Sequence, residues 1–493
     1  MKRKFSLFVA ALAVMLSLQD TISAQKINYP ESLDKYFSEA DSLLSPSRVI
    51  RPMIGVLPSN EALSSIEQIV ALGGIAALMP IEGQDYAQLR ELAFSVDGFV
   101  VDENSSASSN AHLLRALLEQ NVPIFGHSEL LDVIAKSLRR SRASYTDVKE
   151  FMKRAILFKR AKHLMDRIVV LDSHCDLPEN YDHGVSFIKK SRFSQFSVQK
   201  MQEGHMNTVC LVDFIKQREL DQQGLLTAQK KCFDVLEQLE QEIAACPKEC
   251  DLARNPQDVY RIHNEGRIAA LLCVENAYGI GGKLENIEKL AQHGVTYMTL
   301  CHMKNNNVCY SSSKTVYQTL GLTSFGKDVV REMNRCGILI DLSHTSPGTV
   351  MEVCKLSQAP VVCTHSGVAS LYNHYRNLRD EELLAIKKNG GVVQIYLLAS
   401  FMGSRQNRII DVGVMADHID YCVKLLGIDH VGVGTDMCGG GGGQDFFGAN
   451  DAVNLTMELL SRGYSEGDIS KIWGGNYLRV WGEALSYAKN QKK

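Results

Sequence analysis

The sequence predicts an α/β protein: a (β/α)8 TIM barrel preceded by a smaller N-terminal α/β domain built on a parallel sheet. Three observations carry this. From residue 167 onward, eight apolar strand-like runs alternate with helical patterns over about 300 residues, the arithmetic of an eight-stranded barrel. The runs Ile-Ala-Ala-Leu-Leu-Cys-Val (268–274) and Gly-Val-Val-Gln-Ile-Tyr-Leu-Leu (391–398) are almost continuously apolar, as parallel strands covered on both faces must be. Before them, residues 51–126 hold a shorter alternation of strand and helix patterns. A doubly wound open sheet is the alternative for the larger part.

The 493 residues exceed one ordinary core, so two domains are expected. Residues 1–24 read as a signal peptide. Basic Lys2-Arg3-Lys4 is followed by an apolar run from Phe5 to about Leu18 and a small-residue cleavage context at Ser23-Ala24-Gln25. The apolar run is too short for a membrane span, so the mature chain is expected to be exported without one, to the periplasm if the source is Gram-negative. Residues 25–140 form the accessory domain. Its expected strands are 52–58, 74–80, 98–102 and 122–126, with helical patterns near 60–72, 84–95 and 108–119. The stretches Ala-Leu-Gly-Gly-Ile-Ala-Ala-Leu-Met-Pro (71–80) and Val-Asp-Gly-Phe-Val-Val (96–101) loosely resemble the front half of a class I glutamine amidotransferase. That family's next strand runs into a Gly-x-Cys elbow. Here the stretch is Phe125-Gly126-His127-Ser128-Glu129, without a cysteine. A Ser128 nucleophile is the functional reading, and a non-catalytic accessory domain is the one adopted. Residues 141–166 are a basic helical connector, and 167–493 are the barrel.

Net charge is −3, with 45% apolar and 22% charged residues, so no basic surface argues for nucleic acid. All 13 cysteines lie at or after Cys175. Cys246 and Cys250 are the best candidates for a local disulfide in an oxidising compartment. No Cys-x-x-Cys pair suggests a structural zinc site.

Barrel strands are expected at 168–174, 206–213, 268–274, 295–301, 337–343, 360–364, 391–397 and 430–435. Active-site groups of such barrels sit at the C-terminal strand ends. Strand 1 ends in His174-Cys175-Asp176, strand 3 in Glu275, strand 4 in His302, strand 5 in His344, strand 6 in His365 and strand 8 in Asp436. Asp341 sits inside its strand and is set aside. Alternate strand residues face one side, so His174 and Asp176 would converge while Cys175 points into packing. Buried carboxylates and imidazoles in such number are costly without a cation. They exceed the three protein ligands of one catalytic zinc, so two ions fit better. Ligands without thiolates suit Zn²⁺, with Mn²⁺ or Co²⁺ as substitutes.

The motifs Asp172-Ser173-His174-Cys175-Asp176-Leu177-Pro178, Val274-Glu275-Asn276-Ala277, Thr299-Leu300-Cys301-His302, Ile340-Asp341-Leu342-Ser343-His344, Thr364-His365-Ser366 with Arg376-Asn377, and Gly432-Val433-Gly434-Thr435-Asp436 closely resemble the membrane (renal) dipeptidase family of the amidohydrolase superfamily. The resemblance implies that His174 and Asp176 bind one zinc, that His344 and His365 bind the other, and that Glu275 bridges both. It implies a metal-bridging hydroxide as nucleophile, with Asp436 as its base and then as acid to the leaving amine. His302 would donate to the scissile carbonyl oxygen, and Arg376 would clamp the C-terminal carboxylate of a dipeptide. A D-residue on that side and a homodimer are also implied. His183, His205, His293, His374, His418 and His430 are left as structural or exposed. One departure stands out. The family commonly has Asp-Phe-Asp-Gly after strand 8, whereas this chain has Asp436-Met437-Cys438-Gly439 and glycines to Gly443, expected to make a flexible loop.

The reading is an exported binuclear zinc dipeptidase. Its rivals are a metal-dependent amidohydrolase acting on a lactam or cyclic amide, and a non-catalytic peptide-binding protein on a dead barrel.

Overall fold

The computed structural model of the chain describes residues 54–55, 75–78, 98–100, 111–126, 129–138, 148–183, 185–189, 194–313, 318–403 and 410–491. The chain divides into two compact units, Met1–Leu164 and Met165–Lys493.

In the first unit, strands Ile54–Gly55, Ile75–Leu78, Gly98–Val100 and Ile124–Phe125 pair in parallel and in sequential order. Helix Ala111–Glu119 buries Leu113, Leu114, Leu117 and Leu118, the one-faced spacing of an amphipathic helix. A small parallel sheet is common to many α/β folds and does not single out an amidotransferase. Ser128, the stretch 1–24 and the helices expected near 60–72 and 84–95 lie outside the described residues. Helices Glu129–Ser137 and Val148–Met165 cover much of the basic stretch before the barrel.

The second unit is the barrel. Its strands are β1 (Leu171–Cys175), β2 (Thr208–Phe214), β3 (Ile268–Glu275), β4 (Val295–Thr299), β5 (Leu339–Asp341), β6 (Val362–Val368), β7 (Val392–Ile395) and β8 (Val431–Val433). They pair in parallel in that order. The seam between β8 and β1 is closed by a parallel bridge from Cys175 to Met437 and by the Asp176 amide donating to the Met437 carbonyl at 3.1 Å. Every residue of β3 is buried, as its continuous apolar run requires. The helices start where the sequence supplies a cap. Thr323 caps Ser324–Cys336, and Ser346 caps Pro347–Leu356, each accepting from a first-turn amide.

A three-residue strand, Cys250–Leu252, adds to the N-terminal half of β3 and was not expected, because so short a segment carries no pattern. The expected Cys246–Cys250 disulfide is absent, and both residues carry free thiols. The Cys250 thiol is directed at the Ile243 and Cys246 carbonyls instead, at 3.8 and 3.6 Å.

Helix Asn476–Gln491 lies across the N-terminal ends of the strands. The Asn476 side-chain amide donates to the Val431 carbonyl at 2.8 Å, and Leu478, Val480, Trp481 and Ala484 share a core with Val169, Leu171, Leu339 and Val392. That end is sealed, so polar chemistry is confined to the C-terminal mouth.

Candidate metal centre

Two strands bend to build the mouth. Between Asp172 and Cys175, β1 spends three residues where β2 spends two, and between Cys363 and Ser366, β6 does the same against β7. Each carries one extra residue, a device that re-aims side chains. The insertions fall on Ser173-His174 and Thr364-His365. His344 and Asp436 sit at φ 68° and 61°, left-handed backbone that few such residues adopt.

Glu275 is the centre of the cluster. Its Oε2 lies 3.6 Å from His174 Nε2, and its Oε1 lies 3.0 Å from His344 Nε2 and 3.6 Å from His365 Nε2. Asp176 Oδ1 is 3.4 Å from His174 Nε2. Three groups of ligand-type atoms therefore form: His174 with Asp176 and Glu275, Glu275 with His344 and His365, and His174 with His365 and Asp436. Glu275 belongs to two of them, with one oxygen toward each side.

The hydrogen bonds leave lone pairs aimed inward. The Tyr297 hydroxyl donates to the Ser173 carbonyl at 2.9 Å, so toward His174 Nδ1, 2.8 Å away, it acts as acceptor. His174 then carries its proton on Nδ1 and a lone pair on Nε2. The Thr364 hydroxyl donates to Asp341 Oδ2 at 2.8 Å and accepts from His365 Nδ1 at 3.0 Å, which fixes the same tautomer in His365. Meanwhile His344 Nε2 and His365 Nε2 stand 2.8 Å apart. Two such nitrogens need a shared proton or a cation. Buried His174 Nε2, Asp176 Oδ1 and Glu275 Oε1 have no hydrogen-bond partner among the described residues. The donor set fits divalent cations: imidazole nitrogens and carboxylate oxygens converge, and the outer nitrogens of His174 and His365 are held by Tyr297 and Thr364.

Electrostatics point the same way. Burial, reinforced by Arg376, holds His344 and His365 well below the ordinary imidazole range, so both are neutral. Burial also works against a charged His174, but Asp176 and Glu275 overcome it and raise its pKa well above the usual value. Those carboxylates attract positive charge, which a metal ion supplies better than a proton. Burial and the neighbouring Asp176 hold Asp436 well above the carboxylate range, a direction that a nearby cation reverses.

The remaining expected residues converge on the same mouth. The half-buried His302 ring packs 4.3 Å from that of His344 and edge-on to Phe214 at 4.6 Å, and burial lowers its pKa. Arg376 is 3% exposed, its Nη2 donating to the His365 carbonyl at 3.1 Å. Two of the histidines left aside have local partners: the Arg376 amide donates to His374 Nδ1 at 3.3 Å, and the Val368 amide to His418 Nδ1 at 3.0 Å.

Several supporting groups escaped the sequence reading. Asp341, set aside as a strand residue, accepts from the Ser343 and Thr364 amides and from the Thr299 and Thr364 hydroxyls. Asp172 accepts from the His174 amide and from the Thr435 amide and hydroxyl, tying β1 to β8. Burial pushes Asp172 up to about 6 against those hydrogen bonds. An acid inside an otherwise apolar strand, two or three residues before a terminal histidine, was the available signal for both.

The glycine run is not the loose loop expected. Gln195 donates to the Gly441 carbonyl at 2.7 Å and accepts from the Cys438 amide at 2.7 Å. The Gly441, Gly442 and Gly443 amides donate to Asp436, Leu397 and Phe446 carbonyls. A Cβ on Gly439 would stand 2.0 Å from Asp176 Oδ2 and 2.7 Å from Asp436 Oδ1. The glycine lets the turn close on both carboxylates.

Known proteins resemble this chain in sequence and in fold. The chain is 30% identical to Dipeptidase 3 of Macaca fascicularis over 342 residues, covering 66% of this chain and 67% of that protein. It is 35% identical to Dipeptidase aclJ of Aspergillus oryzae over 229 residues, 46% of this chain, and spans only 54% of that relative's length. The crystal structure of the probable dipeptidase PvdM from Pseudomonas aeruginosa superposes with a TM-score of 0.62 at 27% identity, over 67% of this chain and 99% of that one. The sequence pattern of the membrane dipeptidases, peptidase family M19, matches residues 158–493, the whole barrel with its strand-end histidines and acids. From Phe158 to Lys493, this chain belongs to the membrane dipeptidase family.

Proposed function

We propose that this chain is an exported binuclear metallo-dipeptidase that holds two zinc ions and hydrolyses the peptide bond of small dipeptides. One observation carries the proposal: Glu275 presents one oxygen to His174 and the other to His344 and His365. His174 and Asp176 are assigned to one ion, His344 and His365 to the other, and Glu275 to both. Ions held there polarise a carbonyl and lower the pKa of water toward neutrality.

The protein groups divide the remaining work. Arg376 binds the substrate's terminal carboxylate. Its buried Nε has no hydrogen-bond partner among the described residues, which leaves a donor for an anion. This favours a free dipeptide over a lactam. His302, kept neutral, donates to the scissile carbonyl oxygen as charge develops there. Asp436 takes the proton of the attacking water and returns it to the leaving amine. A D-residue beside the clamp, export and a homodimer complete the proposal. Export rests on the sequence of residues 1–24. Among the described residues, no helix is long and apolar enough to cross a membrane. Cell fractionation and light scattering check location and assembly.

The test is metal content and dipeptide turnover on one sample, wild type beside Glu275→Gln. Two equivalents and metal-dependent release of amino acids are expected, with Glu275→Gln losing at least one ion and about a thousandfold or more in kcat/KM, the scale of losing a central electrostatic group. Full metal and activity in that variant overturn the assignment.

A further inference from the structure

Apart from the ligand set, one pair of reactive side chains meets across the barrel seam. Cys175 lies between His174 and Asp176, and its side chain is fully buried. Its main chain pairs in parallel with Met437. Cys438 is the next residue and only partly buried. Its thiol and that of Cys175 are near enough for each to act on the other's ionisation. The Cys438 backbone is fixed, with φ at 66° and its amide donating to Gln195 Oε1 at 2.7 Å. Paired strands lie about 4.8 Å apart and rise about 3.3 Å per residue, so the diagonal from Cys175 to Cys438 spans about 5.8 Å between Cα atoms. A disulfide needs roughly 4.4–6.8 Å. On strand geometry, the Cα separation of the pair thus falls inside the span that a disulfide bridges.

We propose that Cys175 and Cys438 are a covalent modification site: they form a disulfide that clasps β1 to the turn after β8, and the oxidant is a low-molecular-weight disulfide. Exposure sets the order of events, because the oxidant reaches Cys438 and not Cys175. The Cys438 sulfur, its proton lost to solvent, attacks one sulfur of the external disulfide. That S–S bond breaks, and one half leaves as a thiolate that takes up a proton. The Cys175 sulfur, losing its own proton in turn, attacks the Cys438 sulfur of the mixed disulfide, and the second half leaves as a thiol. Two protein thiols are oxidised to one disulfide, and one external disulfide is reduced to two thiols. The product joins the strand carrying His174 and Asp176 to the segment carrying Asp436. None of this depends on the dipeptidase reading.

The test uses the full metal-loaded chain, incubated with oxidised or with reduced glutathione, alkylated, digested and mapped by mass spectrometry. With oxidised glutathione, a cross-linked Cys175–Cys438 peptide two hydrogens lighter than its parts is expected, together with an upward shift of the unfolding midpoint that dithiothreitol reverses. Cys175→Ser, lacking the resolving sulfur, is expected to keep a glutathionyl group on Cys438, and Cys438→Ser to leave Cys175 alkylatable. Wild-type protein in which both cysteines stay alkylatable, or in which a glutathionyl group persists on Cys438, overturns the proposal. The wild-type map decides this even where a variant fails to fold.

Discussion

Tyr297→Phe separates holding a ligand from packing around it. The substitution removes one hydroxyl and leaves a ring that is fully buried. Two hydrogen bonds go, to the Ser173 carbonyl at 2.9 Å and with His174 Nδ1 at 2.8 Å. A buried carbonyl deprived of its donor costs about 1–3 kcal/mol, so the metal-free protein is expected to lose stability by that amount. The second loss concerns the metal. Groups that orient a ligating histidine are worth roughly 10–100-fold in affinity. The Thr364 hydroxyl, 3.3 Å from the same nitrogen, remains as a weaker substitute, which places the expectation near the lower end. Affinity for the ion assigned to His174 and Asp176 is then expected to fall about tenfold, or ~1.4 kcal/mol. The ion assigned to His344 and His365 is expected to bind as before. Competition with a chromophoric chelator resolves the two, and urea denaturation of metal-free protein gives the stability term. Lost stability with both affinities unchanged would refute the reasoning, because Tyr297 would then only pack.

Arg376→Ala is expected to lower kcat/KM on free dipeptides about 10–150-fold, the value of about 1.5–3 kcal/mol for a hydrogen bond to a charged group, and to leave turnover of C-terminal amides unchanged. Steady-state kinetics on paired free and amidated substrates check this. Gly439→Ala places a Cβ against Asp176 and Asp436, 2.0 and 2.7 Å away. It is expected to weaken the ion at Asp176 and reduce kcat while circular dichroism stays native. Asp213 gives a pH signature outside the mouth. Burial pushes its pKa from 3.8 up to about 8, partly opposed by a hydrogen bond with Cys232. The folded state thus keeps a proton that the unfolded chain releases, so stability from this group is full below about pH 4 and declines as pH rises to about 8. Urea denaturation at pH 5 and pH 9 is expected to show Asp213→Asn gaining on wild type at the higher pH by at least about 1 kcal/mol, one pKa unit's worth.

Much of the site was legible because barrels deliver strand ends to one mouth. His174, Asp176, Glu275, His344 and His365 each follow an apolar run, and the order of runs determined their convergence. What holds them was not legible. Tyr297 is 123 residues from His174, and Thr364 is 190. No local pattern encodes contacts of that separation. The extra residues in β1 and β6 were invisible too, since a slipped register leaves composition unchanged. The glycine run misled because composition reports what a backbone can do, while Gln195, more than 240 residues away, decides what it does.

The seam between β1 and β8 has a consequence for how the protein is born. The Asp172–Thr435 contact joins residues 263 apart, and the Ser173–Val433 contact joins residues 260 apart. On the ribosome, the strand bearing His174 and Asp176 emerges long before its last neighbour exists. The entropy of closing so long a loop grows only slowly with length, but it must be met before the seam contacts offset it. Until β8 arrives, β1 is an open sheet edge with unpaired main-chain groups. The helix that seals the opposite end, Asn476–Gln491, is synthesised later still. Glu275 and the His344–His365 pair can gather on the growing β3–β6 sheet, whereas Asp436 joins only when the ring closes. Assembly of the full site therefore waits for β8 and the segment that carries Asp436.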